Sequence, residues 1–600
     1  MSTKIVPIKY TSREFNSIKA DLTEYARRYY PDTFQDFNEA SFGALMVDTV
    51  AYVGDVLSFY IDYQVNESFL DTAIELNNIM RIGHQLGYKR GGNPSSFGET
   101  SLYLLVPANA TGLGPDIDYL PIVKAGSPLT STSGGKFILT EDVDFSNASV
   151  EVVVGKVNKE TGVPTHYAVK TTGKIASGAF RKVKKTIGAH EKFKRVRIGN
   201  KSITEIVSVK DSEGNPYYEV EHLSQNTIYV PIVNNNSDKR EVTSVLKPIL
   251  ALRRYTVDRT GSSLFLQFGY GSESELTSKS VKDPRNVVLN MHAREYITDK
   301  EFDPSKLVKT DKFGICPSNT TLTVTYRINS PSKTATAANT IRASKAMTFR
   351  FRKAHTLSGA KMTEVRNSID ASNEIAITSA APETGASDMK RRILGHFATQ
   401  NRAVTRQDYL SLCYTMPGRF GAIKRANIIQ DADSFKRNLN LYVIGENRNG
   451  HLAPLTSTAK TNLKIWLNQN RMVNDTIDIF DAKIVNYGIQ YTVKATPGAD
   501  KNAILSRCNR VLSSTFTGRH NVLDISEPLY ISRIYTMLNR LSGVLDVKSV
   551  KIVPKEGTLY SNAAFDFTDR KSADGTHISV PENVVLELKY ANLDIEGTVK

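Results

Sequence analysis

The chain has 600 residues, 40% hydrophobic content and a formal net charge of +16. These values predict a soluble protein of about four domains with enough apolar surface for several cores. Three widely separated cysteines, Cys316, Cys413 and Cys508, argue against a disulfide framework and exclude a thiolate zinc site, and they fit a reducing compartment. No apolar stretch follows a basic start at the N-terminus, so no secretory signal is predicted.

Residues 1–95 are predicted to form a helical, bundle-forming region. In a helix from about Ser41 to Val65, three aspartates at positions 48, 55 and 62 fall seven residues apart and form one polar line. Two further seams carry large apolar side chains: Met46, Val50, Val53, Leu57 and Tyr60 in the first, and Leu45, Tyr52, Val56, Phe59 and Tyr63 in the second. Another helix is predicted from about Phe69 to Leu86.

The two seams predict two sets of packing partners, because a surface helix needs only one apolar stripe. One interpretation is a partner-bundle interface, in which these ten residues contact helices of other chains. The alternative is a core helix buried within its own domain, and the sequence leaves both open. A membrane span is not predicted, because the aspartates interrupt each apolar run well short of about 18 residues.

After a linker at Gly91–Pro94, the pattern changes to strands and turns. We predict a β domain in two parts, 96–150 and 256–385, the second part including a connector, with an inserted β subdomain at 151–255. From Ser387 helices return, and two small α+β units are predicted at 386–485 and 486–600. The expected fold class is therefore multidomain α+β.

A basic segment, Arg181 to Lys201, carries nine Lys/Arg and one acid, which is half of the net charge. Its candidate patch for an acidic partner consists of Lys182, Lys184, Lys185, Lys194, Arg195 and Arg197. The segment also fits a solvated strand pair, because Phe193, Val196 and Ile198 alternate with the charges. Nucleic acid is the less favoured partner, since no nucleic-acid-reading module accompanies the charge.

Motifs for catalysis or ligand binding are not found. The chain has no Gly-x-Ser-x-Gly elbow, no complete phosphate loop or dinucleotide fingerprint, and no His-Glu-x-x-His. We therefore predict no catalytic residues, no cofactor, no metal site and no enzymatic activity.

Several segments resemble known phage proteins. The segments Pro382–Ser387 and Asn401–Tyr409 resemble the signature of the baseplate J-like family, wedge subunits of contractile phage tails. Three others, Asn66–Ala73 with Gly87 and Tyr88, Asp211–Tyr218 and Asn319–Tyr326, resemble baseplate wedge proteins of T4-like myoviruses. The order of these segments agrees over nearly the whole chain.

The resemblance implies a structural virion protein that is located in the tail baseplate and assembled in the cytoplasm of the host bacterium. Its implied partners are a second copy, other wedge subunits, neighbouring wedges, the central hub and sheath-initiating tail proteins. In the family, an N-terminal helical bundle joins the subunits and the C-terminal unit closes a ring that rearranges on contraction. The alternatives are a basic nucleic-acid-binding protein and a tail-associated enzyme or receptor-binding protein with an undetected site.

Overall fold

The computed structural model describes residues 13–32, 38, 41–89, 91–147, 150–200, 202–233, 244–260, 263–272, 313–330, 334–378, 385–431, 438–517 and 523–600. Two compact units divide the chain. The helical unit comprises Met1–Lys89 and Thr384–Phe397, and the β-rich unit comprises Arg90–Glu383 and Ala398–Lys600. N-terminal helices followed by a β-rich, multidomain body confirm the predicted α+β class.

The helices are, in chain order, α1 (Phe15–Tyr29), α2 (Phe42–Asn66), α3 (Leu76–Gln85), α4 (Gly359–Asn367), α5 (Ala386–Thr399), α6 (Arg406–Thr415), α7 (Ser457–Asn468), α8 (Lys501–Phe516), α9 (Ile531–Asn539) and α10 (Ala591–Asp594). In the helical unit, α3 packs on α5 around Ile79, Met389 and Ile393. Helix α5 therefore groups with the N-terminal helices, although the sequence predicted that it belongs to the α+β unit at 386–485. Gly87 ends the α3 region with φ +84°, the left-handed conformation that favours glycine.

The first strands of the β-rich unit are β1 (Phe97–Pro107), β2 (Ile122–Val123), β3 (Pro128–Ser131), β4 (Lys136–Leu139), β5 (Val143–Asp144), β6 (Glu151–Val157), β7 (Pro164–Ser177), β8 (Ala179–Ile187), β9 (Arg195–Asn200), β10 (Ile203–Lys210), β11 (Pro216–Glu219), β12 (Thr227–Val233), β13 (Ser244–Leu250), β14 (Arg254–Thr260), β15 (Ser263–Phe268), β16 (Thr320–Ile328), β17 (Ile341–Ala343), β18 (Phe349–Arg350) and β19 (Asp370–Ser372).

Two large sheets contain most of these strands. The first has the order β17-β3-β4-β7-β1-β19, with β6 also paired to β7, and its core includes Leu104, Phe137 and Ile175. The second has the order β8-β16-β10-β11-β14-β15-β9 and encloses a separate core. The predicted inserted subdomain at 151–255 therefore has different limits. Because β7 pairs along the whole of β1, residues 151–177 belong to the first sheet, and the second sheet extends to β16.

The remaining strands are β20 (Arg425–Gln430), β21 (Asn438–Glu446), β22 (Leu452–Ala453), β23 (Thr476–Asp481), β24 (Lys483–Ala495), β25 (Leu529–Tyr530), β26 (Val544–Pro554), β27 (His577–Ile578), β28 (Val584–Glu587) and β29 (Ile595–Val599). The sheet around β21 shares a core with α6 and α7. The sheet around β24 shares another core with α8 and α9. A smaller apolar cluster, including Ile444 and Val585, joins the two sheets.

Candidate protein-interaction site

Helix α2 packs on α1 through its small and acidic residues. Its first turn is capped by Ser41, whose Oγ accepts the backbone N–H of Ala44 at 3.1 Å. Ala44 and Ala51 are the buried residues of the helix, and a Cβ on Gly54 would lie 3.3 Å from Ile18 Cδ1 of α1. Small residues thus allow the two helices to approach closely.

Two of the three aspartates in the predicted polar line pair with cations near or within α1. Lys19 Nζ lies 2.7 Å from Asp48 Oδ1, and Arg13 Nη1 lies 2.7 Å from Asp62 Oδ1. The groups remain partly exposed, so each ion pair contributes only about 0–1 kcal/mol to stability. Their main effect is to define the register of the two helices. The polar line therefore faces another helix of the same chain.

The ten seam residues are left at the surface. Val56 is half-buried and the other nine are exposed, including Phe59 at 65% and Leu45 at 60%. Within the described residues, no helix of the chain covers either seam. The helix therefore has the reverse of the usual arrangement, in which large apolar side chains are buried and charged ones are exposed.

The angular positions of the seams show how further helices would fit. At about 100° per residue, the two seams lie roughly 110° apart, and the contact face for α1 lies on the opposite side of α2. The sequence prediction missed three exposed apolar residues of this helix, Phe42, Ile61 and Val65. Phe42 lies four residues before Met46 and extends the first seam, whereas Ile61 and Val65 lie outside both seams, so the spacing gave no signal for those two. On α1, the exposed rings of Tyr25 and Tyr29 lie 4.7 Å apart in a tilted arrangement.

Helix α2 is also long and apolar enough to span a membrane, judged by length and composition alone; among the described residues it is the one such helix. Its ion pairs argue against a span. Aspartates at positions 48 and 62 would each cost about 2.5–3.5 kcal/mol within the bilayer, and their partner cations belong to the α1 region.

A buried glutamate organises the turn between α2 and α3. Glu67 accepts the backbone N–H groups of Ile74 at 2.7 Å and Glu75 at 3.3 Å, and Asn78 Nδ2 donates to it at 2.9 Å. The hydrogen bond from Asn78 is the largest of the effects that lower the pKa of Glu67. The Asn66–Ala73 segment therefore has a structural role, and it shortens the predicted third helix, which begins only at Leu76.

The basic segment does not form the strand pair that the sequence suggests. Its strands β8 and β9 are the two terminal strands of the second sheet, separated by five others in the hydrogen-bonded order. Both contribute to one core through Ile187, Val196 and Ile198. Lysine on terminal strands hinders edge-to-edge pairing with other chains, which gives these charges a structural explanation.

The six candidate patch residues divide into two groups with different surroundings. Lys182, Lys184 and Lys185 lie on β8, where the first two are exposed opposite Thr325 and Thr323 of β16. The others lie at or near β9, and two of them are engaged: Lys194 Nζ lies 3.1 Å from Glu191 Oε2, and Arg195 pairs with Asp258 and lies over the Phe265 ring. Arg197 is exposed. The six candidate residues therefore lie on or next to two strands with different neighbours.

The Asn401–Tyr409 segment, which resembles the baseplate J-like signature, contains the N-terminal cap of a helix. At the start of α6, Asp408 N–H donates to Thr405 Oγ1 at 3.2 Å, and Thr405 N–H donates to Asp408 Oδ2 at 2.8 Å. These reciprocal hydrogen bonds form a capping box with Thr405 as the N-cap residue. Burial by itself raises the pKa of Asp408. The hydrogen bonds from Thr405 and Val404 lower the pKa by more than burial raises it, so the net shift is downward.

The part of the chain that the structure describes has no group of three or more His, Cys, Asp or Glu side chains suited to a metal ion. The three cysteines are buried and unpaired with one another. Burial raises the pKa of the Cys413 thiol to about 12, which disfavours the reactive thiolate.

Comparison with known proteins identifies the helical region. Residues 14–85, which contain α1, α2 and α3, match the family model of the bacteriophage baseplate protein, N-terminal domain. This match supports the assignment of the chain as a baseplate protein. No curated protein matches the chain significantly.

Two baseplate assemblies contain chains of similar structure. One is the anti-feeding prophage baseplate, solved by cryo-electron microscopy, with 9% identity and a TM-score of 0.27, covering 98% of this chain and 100% of the other. The second is the TssK-TssF-TssG baseplate subcomplex of the type VI secretion system, with 9% identity and a TM-score of 0.23, covering 73% of this chain and 96% of the other.

Proposed function

We propose that the protein is a structural, non-enzymatic subunit of the tail baseplate wedge of a contractile-tailed bacteriophage. The observation that carries the proposal is the pair of exposed apolar seams on α2, within the region that matches the baseplate N-terminal domain. Burial of a large apolar side chain stabilises by about 1.5–3 kcal/mol, so covering both seams would provide substantial binding free energy.

The arrangement of α2 favours a bundle of several chains. Each seam takes one further helix, and α1 stays on the outside. Following the wedge family that the sequence resembles, we assign one seam to a second copy of the chain and the other to a second wedge subunit. The ten seam residues are thus the proposed partner-bundle interface.

The same resemblance extends the proposal to the rest of the chain. We infer that the C-terminal units contact neighbouring wedges and that the subunits form the inner ring around the hub, which rearranges on contraction. Sheath-initiating tail proteins are further proposed neighbours. We also retain Lys182 and Lys184 as a proposed contact for an acidic protein, because they are exposed on one face of β8 and no ion pair is recorded for them among the described residues.

Substitutions in each seam test the bundle. Leu57→Asp and Phe59→Asp each place a carboxylate on a different seam, and a buried unpaired carboxylate costs several kcal/mol. We expect each variant to keep wild-type helicity, since both side chains are exposed, and to lose capture of the other wedge subunits in pull-downs. The control is Asn16→Asp, an exposed polar position of α1 outside both seams. Normal capture by both seam variants would refute the bundle, and loss of helicity before any partner is added would favour the core-helix alternative.

A further inference from the structure

A rigid loop of the first sheet holds an apolar side chain in solvent. Leu113 is 88% exposed. Its loop is fixed by Asn109, whose Oδ1 accepts the Leu113 N–H at 3.1 Å and whose own N–H donates to the Gly114 carbonyl at 2.9 Å. Tyr167 Oη also donates to the Gly112 carbonyl at 2.7 Å. The exposure of Leu113 is therefore built into the loop.

Three further exposed aliphatic residues belong to this loop's continuation or to the β6–β7 turn. A Cβ on Gly112 would lie 3.1 Å from Val163 Cγ1, and the β6–β7 turn also presents Val157. Ile117 follows the loop and is 71% exposed. We call Leu113, Ile117, Val157 and Val163 the knob. A preordered apolar group loses little conformational entropy on binding, which suits a contact with another protein.

The same β-rich unit contains a cavity that has both apolar and charged walls. It has a volume of about 510 Å³ and lies beside the start of α6. Its apolar walls include Val404, Tyr409, Ile428 and Leu439. A hydrogen bond of 2.6 Å from Tyr409 Oη to Asp475 Oδ2 fixes one wall. We call this cavity the cleft.

The charges around the knob and the cleft also complement each other. Asp475 and Glu582 line the cleft, and no ion pair is recorded for either among the described residues. Beside the knob, Lys156 and Lys159 are exposed at the β6–β7 turn. The cleft also contains Arg406, which donates to Asn427 Oδ1 at 2.5 Å, and the knob side offers Glu160 next to Lys159. Opposite charges on both surfaces would orient the contact.

We propose that the knob of one copy binds the cleft of a second copy. The contact deepens the proposed function and rests on it, because it names a surface through which the subunits of a ring could join. The contact is heterologous, because the knob of one copy meets a different surface, the cleft, on the next copy. Repetition of such a contact produces a ring when the rotation closes and a filament when it does not.

Cysteine trapping in the full chain tests the contact. The three native cysteines are buried, so the variant Leu113→Cys with Val404→Cys carries the two accessible thiols of the described residues. On oxidation with oxidised glutathione, we expect a ladder of dimers, trimers and larger species on non-reducing gels, because a heterologous contact continues beyond two chains. The matched control is Leu113→Cys with Leu545→Cys, which moves the second thiol to an exposed position on β26. An equal ladder from the control, or none from the test variant, would overturn the proposal.

Charge reversal provides a second test. Because an α2 seam is also proposed to bind a second copy, the charge variants are made in the Leu57→Asp with Phe59→Asp background, in which both seams are blocked. In that background Lys159→Glu and Glu582→Lys are each expected to lower self-association at least several-fold in sedimentation velocity, and the variant with both charge reversals is expected to recover it. Single charge reversals that associate like the background chain would overturn the contact. The knob contact and the proposed function can be tested independently. Leu57→Asp should leave the ladder intact, because Leu57 lies outside the knob and the cleft. A chain that forms the ladder but captures no wedge subunit would support the knob contact and refute the wedge assignment.

Discussion

Lys19 Nζ of α1 lies 2.7 Å from Asp48 Oδ1 of α2, and this ion pair indicates which face of α2 the chain uses for itself. Because α1 occupies the face of aspartates and small residues, the large apolar residues of α2 remain exposed. An acidic line that would ordinarily face solvent therefore becomes an intramolecular contact. The surface available to other proteins is the apolar one.

The close contact between α1 and α2 should be sensitive to volume. Ala51 is fully buried, so Ala51→Leu overpacks the contact and should destabilise it by about 1–3 kcal/mol. Asp48→Asn removes a partly exposed ion pair and should cost at most about 1 kcal/mol. Hydrogen exchange of the α1 amides measures both effects. The exposed Thr49→Leu is the control, and faster exchange in that variant than in Ala51→Leu would contradict the packing described.

The turn around Glu67 should weaken in acid. The folded-state pKa of this carboxyl lies below its unfolded value, so its stabilisation is complete above about pH 4.3 and is lost as the pH falls through the folded pKa. We expect the protection factor of the Ile74 amide, the exchange rate of an unstructured peptide divided by that of this amide at the same pH, to fall over that range. Glu67→Gln should remove this pH dependence, whereas Glu75→Gln, which alters an exposed neighbour, should retain it. An unchanged pH profile in Glu67→Gln would rule out the assignment.

The exposed lysines of β8 should affect association more than stability. Lys182→Glu with Lys184→Glu should change the free energy of unfolding by no more than about 0.5 kcal/mol per site, because both side chains are exposed. If they meet an acidic subunit, assembly should become slower and less sensitive to salt. Stopped-flow light scattering measures the rate. The matched control is Lys548→Glu with Lys551→Glu on β26. Equal slowing by both pairs would show that the effect comes from the net charge of the chain and not from a contact at β8.

The cap of α6 can be followed with the single tryptophan. Trp466 Nε1 donates to the Leu412 carbonyl of α6 at 2.9 Å, so its fluorescence reports on this helix. Thr405→Ala removes the capping box and should destabilise the surrounding core by about 0.5–2 kcal/mol in urea unfolding. Gln407→Ala, in the same turn but without a role in the cap, should have little effect. Equal losses in the two variants would show that the cap is not responsible.

Local patterns in the sequence were sufficient for the features that depend on neighbouring residues. The heptad spacing of the aspartates and the two seams predicted the length and faces of α2, because a helix has a fixed period of about 3.6 residues. The end of the third helix near Leu86 was predicted for a similar reason. It depends on the backbone conformation of one adjacent residue, Gly87, which is left-handed.

The tertiary structure decided what those surfaces contact. Strand β8 pairs with β16 in a register that places Lys184 opposite Thr323, so the neighbours of the basic segment come from a distant part of the chain. The position of α1 on the acidic face of α2, and the exposure of Leu113 beside Val163, likewise depend on contacts between separate segments. The sequence by itself determined the helices, the seams and the mixed α+β class. Long-range packing decided which surfaces are covered and which remain exposed, because the same helical periodicity is compatible with a buried seam and with an exposed one.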